Sequence, residues 1–176
     1  VPAWQTVFWT ASRRAVPVEC TVFPMQIDGL REGSVVAFRD VPPVLRNAVV
    51  AVEDADFWKH IGINPWRIPG AALANLRSGR RGQGFSTLTM QLTRLLFLTP
   101  EKTLERKIKE IILAFQIEKN FTKEEIFTLY VNQIYFGHGA WGIGQAARVY
   151  FDKQVKDLTV SESALPAGLP HRPSAS

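Results

Sequence analysis

The 176 residues contain one cysteine, Cys20, which excludes an internal disulfide framework and a cysteine-rich zinc site. No apolar run approaches the length of a membrane span. There is no signal peptide and the first residue is valine, so the chain reads as an excised fragment from which an upstream anchor could have been removed. It has no internal repeat and no low-complexity tract. The glycine-rich stretch Phe136–Gly144 lacks the lysine of a phosphate-binding P-loop. His60 has no second histidine or cysteine at ligand spacing, which favours a hydrogen-bonding role over a metal site.

What is present fits a folded protein. Hydrophobic residues make up 46% and charged residues 21%, which excludes a disordered chain. The length suits one domain with a real core and a small lobe attached. The net charge of +5 calls for an anionic partner: nucleic acid, a phosphorylated substrate or an acidic lipid surface. Nucleic acid is the weakest of these, because no groove-reading motif is recognisable.

Val1–Pro17 is aromatic and basic, and reads as a membrane-docking helix or the tail of a linker. Cys20–Phe38 reads as two short strands around the Asp28-Gly29 turn, with Val35, Val36 and Phe38 in the second. Pro42-Pro43 opens a helix whose expected buried side is Val44, Leu45, Ala48, Val49 and Val52. That helix runs into Glu53-Asp54-Ala55-Asp56, and Glu53 lies close to its buried face. A carboxylate held partly out of water can serve as a base near neutral pH.

Gly84–Arg94 is the stretch around which the rest is organised. Ser86 and Thr87 supply capping oxygens for a helix start. Leu88, Leu92, Leu95 and Leu96 recur as an apolar stripe, while Thr87, Gln91 and Arg94 recur on another face. Backbone amides at this start, beside Arg77–Gly84, suit an anionic group such as a phosphate. Ile61–Leu76 and Leu95–Leu98 are apolar, and form either core or a lobe that dips into lipid.

Thr99-Pro100-Glu101 reads as a further helix start, with Leu104, Ile108, Ile111, Ile112 and Phe115 as its main apolar stripe. Arg106, Lys107 and Glu110 lie together on a flanking face. Thr122–Glu125 and Thr159–Glu162 are capping boxes. Ile126, Leu129, Tyr130 and Ile134 make the face of the helix after the first box.

Taken in order, these segments resemble the peptidoglycan glycosyltransferase family. That family comprises the transglycosylase domain of class A penicillin-binding proteins and the monofunctional cell-wall polymerases. The likeness runs over residues 45–173 in five stretches. Glu53-Asp54 with Phe57, His60 and Gly62 is similar to the first motif, and Gly84–Arg94 to the second. Arg106-Lys107 with Glu110, Ala114 and Glu118 is similar to the third. Glu125 with Tyr130, Asn132 and Phe136-Gly137 is similar to the fourth, and Glu162–Leu165 with Gly168–Pro170 to the fifth. Met90 stands where the family usually has a glutamine, and Pro166 where a leucine is common.

The resemblance implies a mainly α fold. It would have a lysozyme-like helical head lobe, a smaller hydrophobic membrane-facing jaw lobe over roughly residues 61–100, and two short strands near the N-terminus. Residues 1–41 would form a membrane-proximal segment and 42–176 the glycosyltransferase domain. The implied reaction joins lipid II units into a β-1,4 glycan, with inversion and release of undecaprenyl diphosphate. Glu53 would be the general base and Glu110 the second catalytic acid, orienting basic groups or acceptor. Asp54, Phe57, His60, Ser86, Thr87, Gln91, Arg94, Lys102, Arg106, Lys107, Tyr130 and Asn132 would serve substrate binding. No cofactor is required, and the resemblance leaves room for Mg or Mn at the diphosphate. Expected partners are lipid II, the growing glycan and the membrane surface, with a fused transpeptidase domain or other cell-wall synthesis proteins beyond them. The expected place is the bacterial envelope, at the outer face of the cytoplasmic membrane. Two other readings stay open: a lysozyme-type glycan hydrolase, and a non-catalytic lipid-binding module.

Overall fold

The computed structural model describes residues 35–65, 86–98 and 103–168, with the backbone alone from 165 onward. Among these residues the chain is helical. Helix α1 (Pro43–Glu53) is followed by α2 (Leu88–Phe97), α3 (Leu104–Asn120), α4 (Lys123–Gln133), α5 (Ile143–Phe151) and α6 (Val160–Gly168). Short 3-10 turns cover Phe38–Asp40 and Val155–Asp157. Residues 66–85, half of the span expected to form a jaw lobe, lie outside the described residues, as do Cys20 and Lys102.

Each helix start has a local cause. Pro43 sits in the first turn of α1, where its missing N–H costs nothing. Thr87 caps α2 by accepting from the Met90 N–H at 3.2 Å. Thr103 caps α3 by accepting from the Arg106 N–H at 3.1 Å. The expected start at Thr99–Glu101 lies outside the described residues. Thr122 and Glu125 form the expected reciprocal box at the start of α4. Gly142 opens α5 with φ +78°, and a Cβ there would stand 2.6 Å from the Asn132 carbonyl oxygen.

The described part of the second expected strand is not a strand. Val36 meets the side chain of Asn132 instead, which accepts from its N–H at 2.9 Å and donates to its carbonyl at 2.8 Å. One amide side chain thus satisfies both backbone groups that a neighbouring strand would have satisfied.

Helix α4 lies in the core through Ile126, Phe127, Tyr130 and Val131. Around it pack Leu88 and Leu92 of α2, Leu45 and Val49 of α1, and Ile143, Ala146 and Ala147 of α5. Helix α2 packs against both α3 and α4, and α1 against α6.

Two expected faces are corrected. In α1 the buried residues are Leu45, Val49, Val50 and Glu53, whereas Val44 and Val52 are exposed. In α3 the expected stripe points outward: Leu104 is 83% exposed, Ile108 56% and Ile112 52%. The buried face of α3 is Glu110, Ala114 and Ile117. A carboxylate takes the interior because two cations accompany it, as described below.

The capping box at the start of α6 carries a pH dependence. Glu162 accepts from Lys153 at 2.8 Å and from the Thr159 N–H at 2.9 Å. The Lys153 hydrogen bond, then those from Thr159, hold its carboxyl at about 2, below the ordinary 4.5. A depressed carboxyl stabilises the fold above its unfolded value and loses that contribution as pH falls toward its folded one. Glu162→Gln is therefore expected to melt lower than wild type at pH 7. The gap should close between pH 4.5 and about 2, as read from melting temperature against pH.

Candidate active site

Three sequence neighbours end α1 and diverge. Leu45, Val49 and Glu53 lie one turn apart in register, so Glu53 continues the buried stripe and is 5% exposed. Asp54 leaves the helix at φ −160° and is fully buried. Phe57 then enters the core, its ring against Trp58 and His60, with the Lys123 ammonium 4.6 Å above it.

Asp54 joins this turn to α2. Its Oδ2 accepts from the Leu88 N–H at 3.0 Å and meets His60 Nε2 at 2.7 Å. Leu88 is the first residue of α2, so the carboxylate sits at the positive end of the helix dipole. One amide of this helix start, that of Leu88, is thus taken by the protein's own carboxylate. The Gly62 N–H donates to His60 Nδ1 at 3.1 Å, so Nε2 carries the proton directed at Asp54. Thr87 donates to the Gly62 carbonyl at 2.5 Å and completes the junction.

One turn further along, α2 reaches Glu53. Gln91 Nε2 donates to Glu53 Oε2 at 2.9 Å, and Tyr130 donates to Gln91 Oε1 at 3.3 Å. Tyr130 is fully buried, and its phenol is held well above the usual range. Burial is the main cause, the Glu53 charge adds to it, and Arg94 works against it. Both the Glu53 and the Arg94 charges are thus felt at the same hydroxyl. Arg94 is half-buried and follows Gln91 by about 4.5 Å along the helix.

The second cluster hangs on the same segment. Glu110 is fully buried on α3; Arg106 Nε lies 3.2 Å from its Oε1 and Lys107 Nζ 2.8 Å from its Oε2. The Lys107 ammonium also donates to Ser86 Oγ at 2.6 Å. Residues 86–94 thus hold one carboxylate through Gln91 and the Lys107 ammonium through Ser86.

The geometry sorts the expected site residues. It pairs Glu53 with Gln91, groups Ser86, Arg106, Lys107 and Glu110, and hangs both sets, with Arg94, on residues 86–94. Phe57, Thr87 and Tyr130 are fully buried and face protein. Asn132 spends its amide on Val36 and on the Thr128 carbonyl. Asp54 and His60 face each other. These six were expected to bind substrate; burial and protein hydrogen bonds give them to the frame around the site.

The list of expected residues missed Glu118, which accepts from Thr89 at 2.6 Å and Lys123 at 2.7 Å and so ties α2 to α3 and α4. Its signal was readable: Glu110, Ala114 and Glu118 recur every four residues. A cleft of about 470 Å³ opens beside His60, lined by Asp56, Lys59, Ile61, Ile63, Asn64 and Pro65. None of the clustered acids and bases lines it. Among the described residues no group of three His, Cys, Asp or Glu side chains is placed to hold a metal ion.

Comparison with known proteins adds a family. The family model described as Transglycosylase matches residues 24–176. The chain is similar to Penicillin-binding protein 1A of Aquifex aeolicus, with 51% identity over 146 residues, 83% of this chain and 20% of that protein. Penicillin-binding protein 1A of Escherichia coli K12 is 50% identical over 139 residues, 79% of this chain and 16% of that one. The Neisseria gonorrhoeae protein of the same name is 48% identical over 136 residues, 77% and 17%. The chain spans about a fifth or less of the length of these relatives.

Proposed function

Because the chain belongs to the transglycosylase family, we propose that it polymerises lipid II into β-1,4-linked glycan as a peptidoglycan glycosyltransferase. The observation that carries this is the shared attachment of Glu53 and the cation cluster to residues 86–94. The reaction makes two demands. An acceptor sugar hydroxyl must lose its proton as it attacks the donor's anomeric carbon, with inversion. The departing undecaprenyl diphosphate must have its charge stabilised.

Glu53 takes the proton. Its amide partner Gln91 keeps the carboxylate oriented, and such bases contribute about 10²–10⁴-fold. Arg94, Arg106 and Lys107 stabilise the diphosphate as prepositioned cations; Lys102 belongs to the same group in this proposal. Glu110 orients Arg106 and Lys107 and stays clear of proton abstraction, consistent with its full burial between them. No cofactor takes part. The described acids offer no resident metal cluster, so a Mg or Mn ion at this step would arrive with the diphosphate.

The substrate's lipid tail puts the work at the outer face of the cytoplasmic membrane. Among the described residues no helix is long and apolar enough to cross a membrane. The exposed ridge Leu104, Ile108, Ile112 and Phe115 recurs along one side of α3 with Lys109 beside it. An exposed apolar strip of this kind suits a lipid surface, with Lys109 paired to Glu105 beside it. Replacing Ile108 and Ile112 together by Asp is expected to weaken binding to anionic vesicles by about tenfold or more, read by co-sedimentation. A fused transpeptidase domain is the further partner that fits relatives about four to five times as long.

The function is tested by supplying lipid II in detergent and resolving products on a gel. Ladders of polymer are expected. Cleavage of preformed glycan without polymer would mean a lysozyme-type hydrolase. Binding of lipid II without turnover would mean a lipid-binding module.

A further inference from the structure

We propose that Tyr130 is a positioning residue that locks the Gln91 amide in the orientation able to donate to Glu53. The proposal rests on Glu53 being the base. A carboxylate oxygen only accepts, so the Gln91 end that meets Glu53 Oε2 at 2.9 Å must be the N–H₂ end. The carbonyl end then faces the Tyr130 hydroxyl, which must donate to it, at 3.3 Å. A flipped amide would set oxygen against oxygen at Glu53 and take away the carbonyl to which the buried Tyr130 O–H donates.

Two features make the lock permanent. Tyr130 is fully buried, so water does not replace its hydroxyl as a donor. Burial and the nearby Glu53 charge also keep the phenol protonated at every working pH. Gln91 alone, with its freely rotating terminal amide, has two states of similar shape. Glu53 disfavours the unproductive one at the amide end, and Tyr130 adds to that at the carbonyl end from α4, 39 positions away in sequence. Tyr130 touches neither substrate nor the reacting atoms; it acts through Gln91.

The test is a double-mutant cycle on kcat for lipid II polymerisation, with Tyr130→Phe, Gln91→Ala and the pair. Tyr130→Phe is expected to lower kcat by about tenfold with KM unchanged, the size of one lost hydrogen bond. In the Gln91→Ala background the same substitution should change kcat no further. Equal losses in both backgrounds would overturn the proposal, because a residue that merely supports the fold acts regardless of Gln91.

A second measurement needs no activity. In protein labelled with ¹⁵N at glutamine, the Gln91 side-chain amide should give a shifted, slowly exchanging pair of resonances. Tyr130→Phe should broaden or collapse that pair. An unchanged pair in Tyr130→Phe would overturn the lock even if the protein made no polymer. Absence of polymer with an intact, Tyr130-dependent amide would instead locate the failure in the assignment of Glu53 as base.

Discussion

Glu53→Gln abolishes detectable polymer, with kcat falling about 10²–10⁴-fold, while the fold survives. That loss corresponds to about 2.7–5.5 kcal/mol of transition-state stabilisation. The substitution keeps shape and volume. Its carbonyl oxygen still accepts from Gln91 Nε2, so the hydrogen bond at 2.9 Å has a neutral successor. What disappears is a group able to take a proton from a sugar hydroxyl. Steady-state rates on lipid II, beside a melting curve, separate the two effects. A variant that still polymerises at more than a tenth of the wild-type rate would remove Glu53 from the role of base.

The largest effect on stability is expected at its neighbour. Asp54→Ala should cost about 3–5 kcal/mol, as breaking a buried charged contact does. Asp54 is fully buried and receives both the first N–H of α2 and the His60 ring. Alanine leaves both donors without an acceptor and removes the negative charge from the helix N-terminus. Domains of this size have only about 5–15 kcal/mol in total, so much of that margin goes. Denaturant unfolding measures it. A midpoint within error of wild type would show that α2 is held by its apolar face alone. Activity should fall too where the variant remains folded, since α2 carries Gln91 and Arg94.

These two residues show how legibility varied along the chain. Glu53 stood out because a carboxylate follows an apolar helix, and its register with Leu45 and Val49 is visible in the spacing. The same helix misled at Val44 and Val52, which are apolar yet exposed. In α3 the error was larger. Leu104, Ile108, Ile112 and Phe115 make a better apolar stripe than the buried Glu110, Ala114 and Ile117. Periodicity ranks faces by hydrophobicity, and it cannot see that Arg106 and Lys107 converge on one carboxyl while Ser86 accepts from Lys107. Asn132 went astray for a related reason. An asparagine in a motif suggests a ligand group, and nothing local reveals that Val36, 96 positions earlier, claims its amide.

The amino-acid sequence by itself determined the helical class, the caps at Thr87 and Thr122, and the residue types of the site. Those features depend on groups within about four positions of one another, where chain geometry leaves little choice. The tertiary structure decided which face of α3 is inside, that Asp54 accepts the first N–H of α2, and that Gln91 joins Tyr130 to Glu53. The Asp54, Gln91 and Tyr130 contacts span 34 to 39 positions and the Ser86–Lys107 contact beside Glu110 spans 21, so each comes into being only when helices pack.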